Sequence, residues 1–130
     1  MPGVTKHIYD REIIDINAMW NNQLKKIEKV LPCTYNEDDI IKLLKKYYPH
    51  EWKSVEMKYW YYQRKDRDLK RRFGKARYNM KPPIKLLAGV SFYEKMLASE
   101  FRKKYADNFN TENRENAEKS LWDKRKPKID

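Results

Sequence analysis

The sequence holds a single cysteine, Cys33, among its 130 residues. One thiol excludes an internal disulfide framework and fits a reducing compartment. With His7 and His50 it also falls short of the four Cys/His ligands of a structural zinc site. Glycine is scarce, with three residues, and no glycine-rich phosphate loop, nucleophile elbow or HExxH pattern occurs. No uninterrupted apolar run approaches the roughly 20 residues that span a bilayer. The N-terminus, MPGVTKHIYDRE, lacks the apolar core of a signal peptide. These absences predict a cytoplasmic protein that does not engage membranes. Alternating apolar and polar residues never run long enough to predict a strand, and no internal repeat is present.

Positive charge and helical periodicity are abundant. Thirty Lys and Arg stand against nineteen Asp and Glu, a net charge of +11. The excess is uneven: residues 51–90 carry twelve basic and four acidic groups, while the two flanking thirds are close to balance. A localised excess of this kind raises the nearby concentration of phosphates.

The chain divides into a flexible arm over residues 1–9, a single helical domain over 10–122 and a basic disordered tail over 123–130. Asp10 reads as the N-cap of a first helix whose stripe is Ile13, Ile16, Trp20, Leu24, Ile27 and Leu31, ended by Pro32. Asn36 caps a second helix. Glu37, Asp38 and Asp39 fill its first turn, and Ile40, Leu43, Leu44 and Tyr47 form its apolar side. A tight turn at Tyr48–His50 leads into a third helix carrying Trp52, Val55, Tyr59, Tyr62, Leu69 and Phe73 along one side. Gly74 is its C-cap. Residue 66 continues that stripe but is Asp. Residues 75–89 read as a connector stiffened by Pro82 and Pro83, with a turn at Asn79. Ser91 and Glu94 have capping-box spacing for a helix containing Tyr93, Met96, Leu97, Phe101 and Tyr105. Thr111 caps a last, mostly polar helix. The predicted fold is all-α, a small bundle of four to five helices with a helix-turn-helix-like junction between the second and third.

The third helix concentrates the candidate functional residues. Tyr59, Trp60, Tyr61 and Tyr62 are consecutive, so their rings surround the helix and cannot all enter one core. Tyr59 and Tyr62 read as core; Trp60 and Tyr61 are left over. An exposed ring beside Arg and Lys suits base stacking, at about 1–3 kcal/mol per base. It equally suits the anchor of a protein interface. Downstream, Arg64, Lys65, Arg67, Lys70, Arg71, Arg72, Lys75 and Arg77 form a run in which each phosphate contact would add affinity by counterion release. Asp66 and Asp68 interrupt the run at a spacing that reaches Lys70 or Arg72.

Residues 36–55, NEDDIIKLLKKYYPHEWKSV, resemble the middle of a Myb/SANT-type helix-turn-helix in their acidic helix start, Ile/Leu spacing, KKYYP turn and following Trp52 and Val55. That resemblance places DNA ahead of RNA as the ligand. The residues therefore predict a non-enzymatic nucleic-acid-binding protein that contacts phosphates through the basic helix and loop, needs no cofactor and holds no metal. The alternative is a small adaptor or inhibitor that docks on another protein, one that itself processes nucleic acid, with Trp60, Tyr61 and Trp122 as anchors.

Overall fold

A computed structural model describes residues 6–125, and every regular element among them is helical. Seven α-helices follow in order: α1 Lys6–Ile27, α2 Glu37–Tyr47, α3 Pro49–Phe73, α4 Pro83–Ala88, α5 Ser91–Leu97, α6 Ser99–Asp107 and α7 Thr111–Arg125. A 3₁₀ turn, Glu28–Val30, extends α1.

The apolar stripe of α1 decides where that helix lies. Tyr9, Ile16, Trp20, Leu24 and Ile27 recur at steps of three, four and seven and are all buried. This face packs against α2, α4 and α5. Trp20 sits 5.6 Å from Trp52 of α3, ring centre to ring centre. Gln23 is also buried, and its Oε1 has no hydrogen-bond partner among the described residues.

Helix α2 begins as its sequence predicts. The Asn36 side chain accepts from the Asp39 N–H, and the Asp39 carboxylate accepts from the Asn36 N–H, a reciprocal capping box. Gly74 closes α3 in the left-handed conformation (φ 84°), and its N–H donates to the Lys70 carbonyl.

The structure departs from the predicted elements in several places. Seven helices among the described residues replace the four to five expected. Helix α1 is already formed at Lys6, so most of the supposed arm lies outside the described residues while Lys6–Tyr9 are helical, with Tyr9 buried. Asp10 is inside the helix rather than its cap, 3.8 Å from the Lys6 ammonium. The connector contains α4, whose first turn accepts Pro83 because no N–H is needed there. Ser91 does not cap α5; Val90 is the flanking residue and supplies no side-chain cap. The helix expected to run on from residue 91 breaks at Ala98, which is extended (φ −66°, ψ 139°). Asn110, not Thr111, caps α7, accepting from the Asn113 N–H. The tail assigned to 123–130 is helical through Arg125, and the remainder lies outside the described residues.

Only Tyr48 separates α2 from α3. Its N–H donates to the Leu44 carbonyl and its own carbonyl accepts from the Trp52 N–H. A helix-turn-helix uses a turn of about three to four residues. Here Pro49 and His50 already belong to α3, so the predicted junction is shorter than that motif.

Candidate functional site

Helix α3 carries two very different faces. Trp52, Val55 and Tyr62 enter the core, and Asp66 follows them at the next turn, 7 % exposed. Its carboxylate is occupied by backbone. Oδ1 accepts from the N–H groups of Arg77 and Tyr78, both at 2.9 Å, and Oδ2 accepts from Asn79 at 2.6 Å. The loop after α3 is thereby folded back onto it, with Asn79 held at a positive φ of 51°. The Tyr78 ring then joins Tyr9 and Tyr62 in a cluster with centre-to-centre distances of 4.9–5.3 Å. Tyr62 donates to the Glu12 carboxylate at 3.0 Å. Burial, and then that bond, push its hydroxyl above the ordinary tyrosine range.

The outward face of α3 holds the residues singled out from the sequence. Trp60 is 60 % exposed, with Tyr59 edge-on to it at 5.1 Å. Helical spacing aligns Trp60 with Arg64, Arg67 and Arg71. Tyr61 lies on the neighbouring strip, with the Lys65 ammonium 5.5 Å from its ring centre. Arg64, Arg67, Lys70, Arg71, Arg72, Lys75 and Arg77 are exposed, and Lys65 is half-buried. Asp68 pairs with Arg71 rather than with Lys70 or Arg72, and Asp66 pairs with neither of them. Two grooves lie along α3, one of about 450 Å³ bounded by His50, Lys53, Met57 and Tyr61 and one of about 340 Å³ bounded by Leu69, Phe73, Lys75 and Arg77.

Another concavity lies between the 3₁₀ turn, α5, α6 and α7. It has a volume of about 540 Å³. Glu28 and Lys29 line it from the turn, Lys95 from α5, and Phe101, Lys104 and Tyr105 from α6. Asn108, Phe109 and Asn110 come from the α6–α7 link, and Asn113, Arg114 and Ala117 from α7. Its walls are latched by long-range hydrogen bonds. The Arg114 Nε–H donates to the Val30 carbonyl at 2.9 Å, and the Tyr105 hydroxyl donates to the Leu31 carbonyl at 2.6 Å. Arg102 donates to the Tyr35 carbonyl. Val30 closes the 3₁₀ turn and Leu31 follows it, so their carbonyls have no helical partners, and Arg114 and Tyr105 satisfy them. Arg114 also lies 3.4 Å from Glu118.

Two titratable groups in the cleft are perturbed. Burial raises the Glu28 carboxyl above its usual range, opposed by the charge of neighbouring Lys29. Burial likewise pushes the Tyr105 hydroxyl up to about 12. No local pattern in the chain marks this site, because its walls come from four separate segments. Among the described residues, no three His, Cys, Asp or Glu side chains gather as a metal site would require. No helix among them is long and apolar enough to cross a membrane.

Among the described residues, these features define an all-helical protein with a basic face on α3 and a cleft of mixed aromatic, amide and cationic lining. No known family model matches the chain, and no solved structure matches it significantly. The chain is similar to a protein of Cytobacillus dafuensis provisionally named cyclic ADP-D-ribose synthase TIR2, at 36 % identity over 83 residues. The similarity covers 64 % of this chain and 22 % of that protein, so the chain matches less than a quarter of its relative's length. This finding corrects the nucleic-acid reading. The relative is named for making a small cyclic nucleotide, not for binding DNA or RNA, and its name is that of an enzyme, against the expectation of a non-enzymatic protein.

Proposed function

We propose that this chain acts in cyclic ADP-ribose chemistry, as a helical module that recognises a nucleotide of the ADP-ribose class. The observation that carries the reading is the similarity to the Cytobacillus dafuensis protein. The chain corresponds to a minor part of that protein, so the assigned role is recognition of the nucleotide within a system that makes it. The charge of the chain supports the reading. A net charge of +11 draws any phosphate-bearing ligand, and a small nucleotide benefits from it as a polymer does.

Calorimetric titration of the chain with ADP-ribose and with cyclic ADP-ribose, in near-physiological salt, tests the reading. A mixed-sequence single-stranded oligonucleotide serves as comparator. Saturable one-to-one binding of either small nucleotide is expected, and it should persist when salt is raised enough to remove the oligonucleotide. Absence of binding to both nucleotides at millimolar concentration would overturn the proposal.

A further inference from the structure

We infer that the cleft between the 3₁₀ turn and α5–α7 is a binding site for a nucleoside diphosphate, the base lying against Tyr105 and Phe109 and the phosphates meeting Lys104 and Arg114. The assignment rests on the proposed function for its ligand class, and on the geometry of the cleft for its place.

The cleft has the right size. A volume of about 540 Å³ falls within the roughly 300–1,000 Å³ of small-molecule sites. It can take one nucleotide with a short phosphate chain. A nucleic-acid strand would need a continuous track, which four converging segments do not provide.

Its lining has the right chemistry. A nucleoside diphosphate presents a flat ring with polar edges, a sugar with hydroxyls and two phosphate groups. The cleft offers a counterpart to each. Tyr105 and Phe109 stand 6.1 Å apart, centre to centre, with their planes 58° from each other. The Asn113 amide also lines the cleft, and an amide both donates to and accepts from a base edge, whereas the Asn110 oxygen is taken by the cap of α7. Lys29, Lys95, Lys104 and Arg114 supply positive charge. Glu28 is the one carboxylate lining the cleft. Among so many cations it repels phosphate locally, and it suits sugar hydroxyls, which donate to a carboxylate.

Its key groups are also pre-organised. The Tyr105 ring is held in place because its hydroxyl is bonded to the Leu31 carbonyl. The Arg114 guanidinium is oriented by its Nε–H bond to Val30, which leaves its terminal nitrogens to reach toward a ligand or Glu118. Groups fixed before the ligand arrives lose little freedom on binding. The grooves on the basic face of α3, of about 450 and 340 Å³, also carry cations, but neither is lined by an amide side chain.

The test compares two variants in the cleft, Lys104→Glu and Phe109→Ala, with a double variant on the α3 face, Arg71→Glu/Arg72→Glu. Circular dichroism checks that each is folded, and ADP, ADP-ribose and cyclic ADP-ribose are titrated into each and into the original chain. Either cleft substitution should weaken binding by about tenfold or more, as loss of a charge-assisted or stacking contact does. The α3 variant should bind within about threefold of the original chain, since only long-range attraction is reduced. Lys104 is exposed, so Lys104→Glu keeps the test valid if Phe109→Ala fails to fold. If the original chain binds ADP-ribose and the cleft variants bind equally well, the cleft assignment is wrong and the broader proposal stands. The cleft assignment is equally wrong if only the α3 variant weakens. If the original chain binds neither ADP-ribose nor cyclic ADP-ribose, both fall.

Discussion

Replacing Asp66 by Ala should be among the most damaging single changes on α3. The carboxylate is buried and accepts three backbone N–H groups from residues 77–79. The three bonds are not equal. The one from Tyr78 is buried, so its N–H would lose its partner without gaining water, at about 1.5–3 kcal/mol for a bond to a charged acceptor. The Arg77 and Asn79 bonds are only partly buried. Water can replace part of each, and about 0.5–1.5 kcal/mol apiece is the appropriate scale. The expected loss is therefore about 2.5–6 kcal/mol, a large share of the roughly 5–15 kcal/mol that holds a domain together. Asp66→Asn should fall between, because its oxygen still accepts while its NH₂ faces a backbone donor. Urea unfolding followed by circular dichroism measures the loss. Hydrogen exchange at Tyr78 and Asn79 locates it, since local release of the loop exposes those amides first. An Asp66→Ala protein within about 1 kcal/mol of the original, with unchanged exchange at those amides, would refute the reasoning.

Gln23→Met should stabilise the protein by about 1 kcal/mol in the same urea assay, because it removes a buried carbonyl oxygen that has no partner among the described residues while nearly keeping the volume. Gly74→Ala should destabilise by about 1–2 kcal/mol. Its φ of 84° is costly for any residue with a Cβ, and no neighbour lies within 4 Å of where that carbon would stand, so the backbone is the whole cause. Stability should fall in alkali. Burial pushes Tyr35, Tyr93 and Tyr105 up to about 12 from an ordinary value of 10.0. Each favours the folded state fully below pH 10, and the advantage is lost as pH climbs from 10 to about 12, which stopped-flow unfolding at stepped pH values checks.

Local signals are the legible ones in this chain. Asn36 at the start of α2 and Gly74 at the end of α3 each act within one turn of chain, and each sits where its chemistry predicts. The all-helical class follows from periodicity that no strand pattern contradicts. The role of Asp66 is hidden because a carboxylate in an apolar stripe looks like a gap. Its partners are main-chain N–H groups of the next loop, which leave no mark on side-chain identity. The break at Ala98 has no proline or glycine to announce it, and α4 is too short to show a period. The cleft is invisible for another reason. Glu28, Lys95, Tyr105 and Arg114 are spread over more than eighty positions, and only tertiary packing brings them together. The charge of α3 lies where its sequence puts it, but charge alone does not support the nucleic-acid reading. A basic exposed helix identifies an attraction for anions, and not the size or kind of anion.

The latch between the end of α1 and the last two helices has a consequence for how the protein is made. Its hydrogen bonds join residues 84, 74 and 67 positions apart. Contacts of such long range cost more chain entropy to close and form late. During synthesis the first three helices can emerge and pair while the carbonyls of Val30 and Leu31 still face water. The cleft acquires its walls only after Arg114 has left the ribosome, so a nascent chain cannot hold a ligand there until most of it has been made.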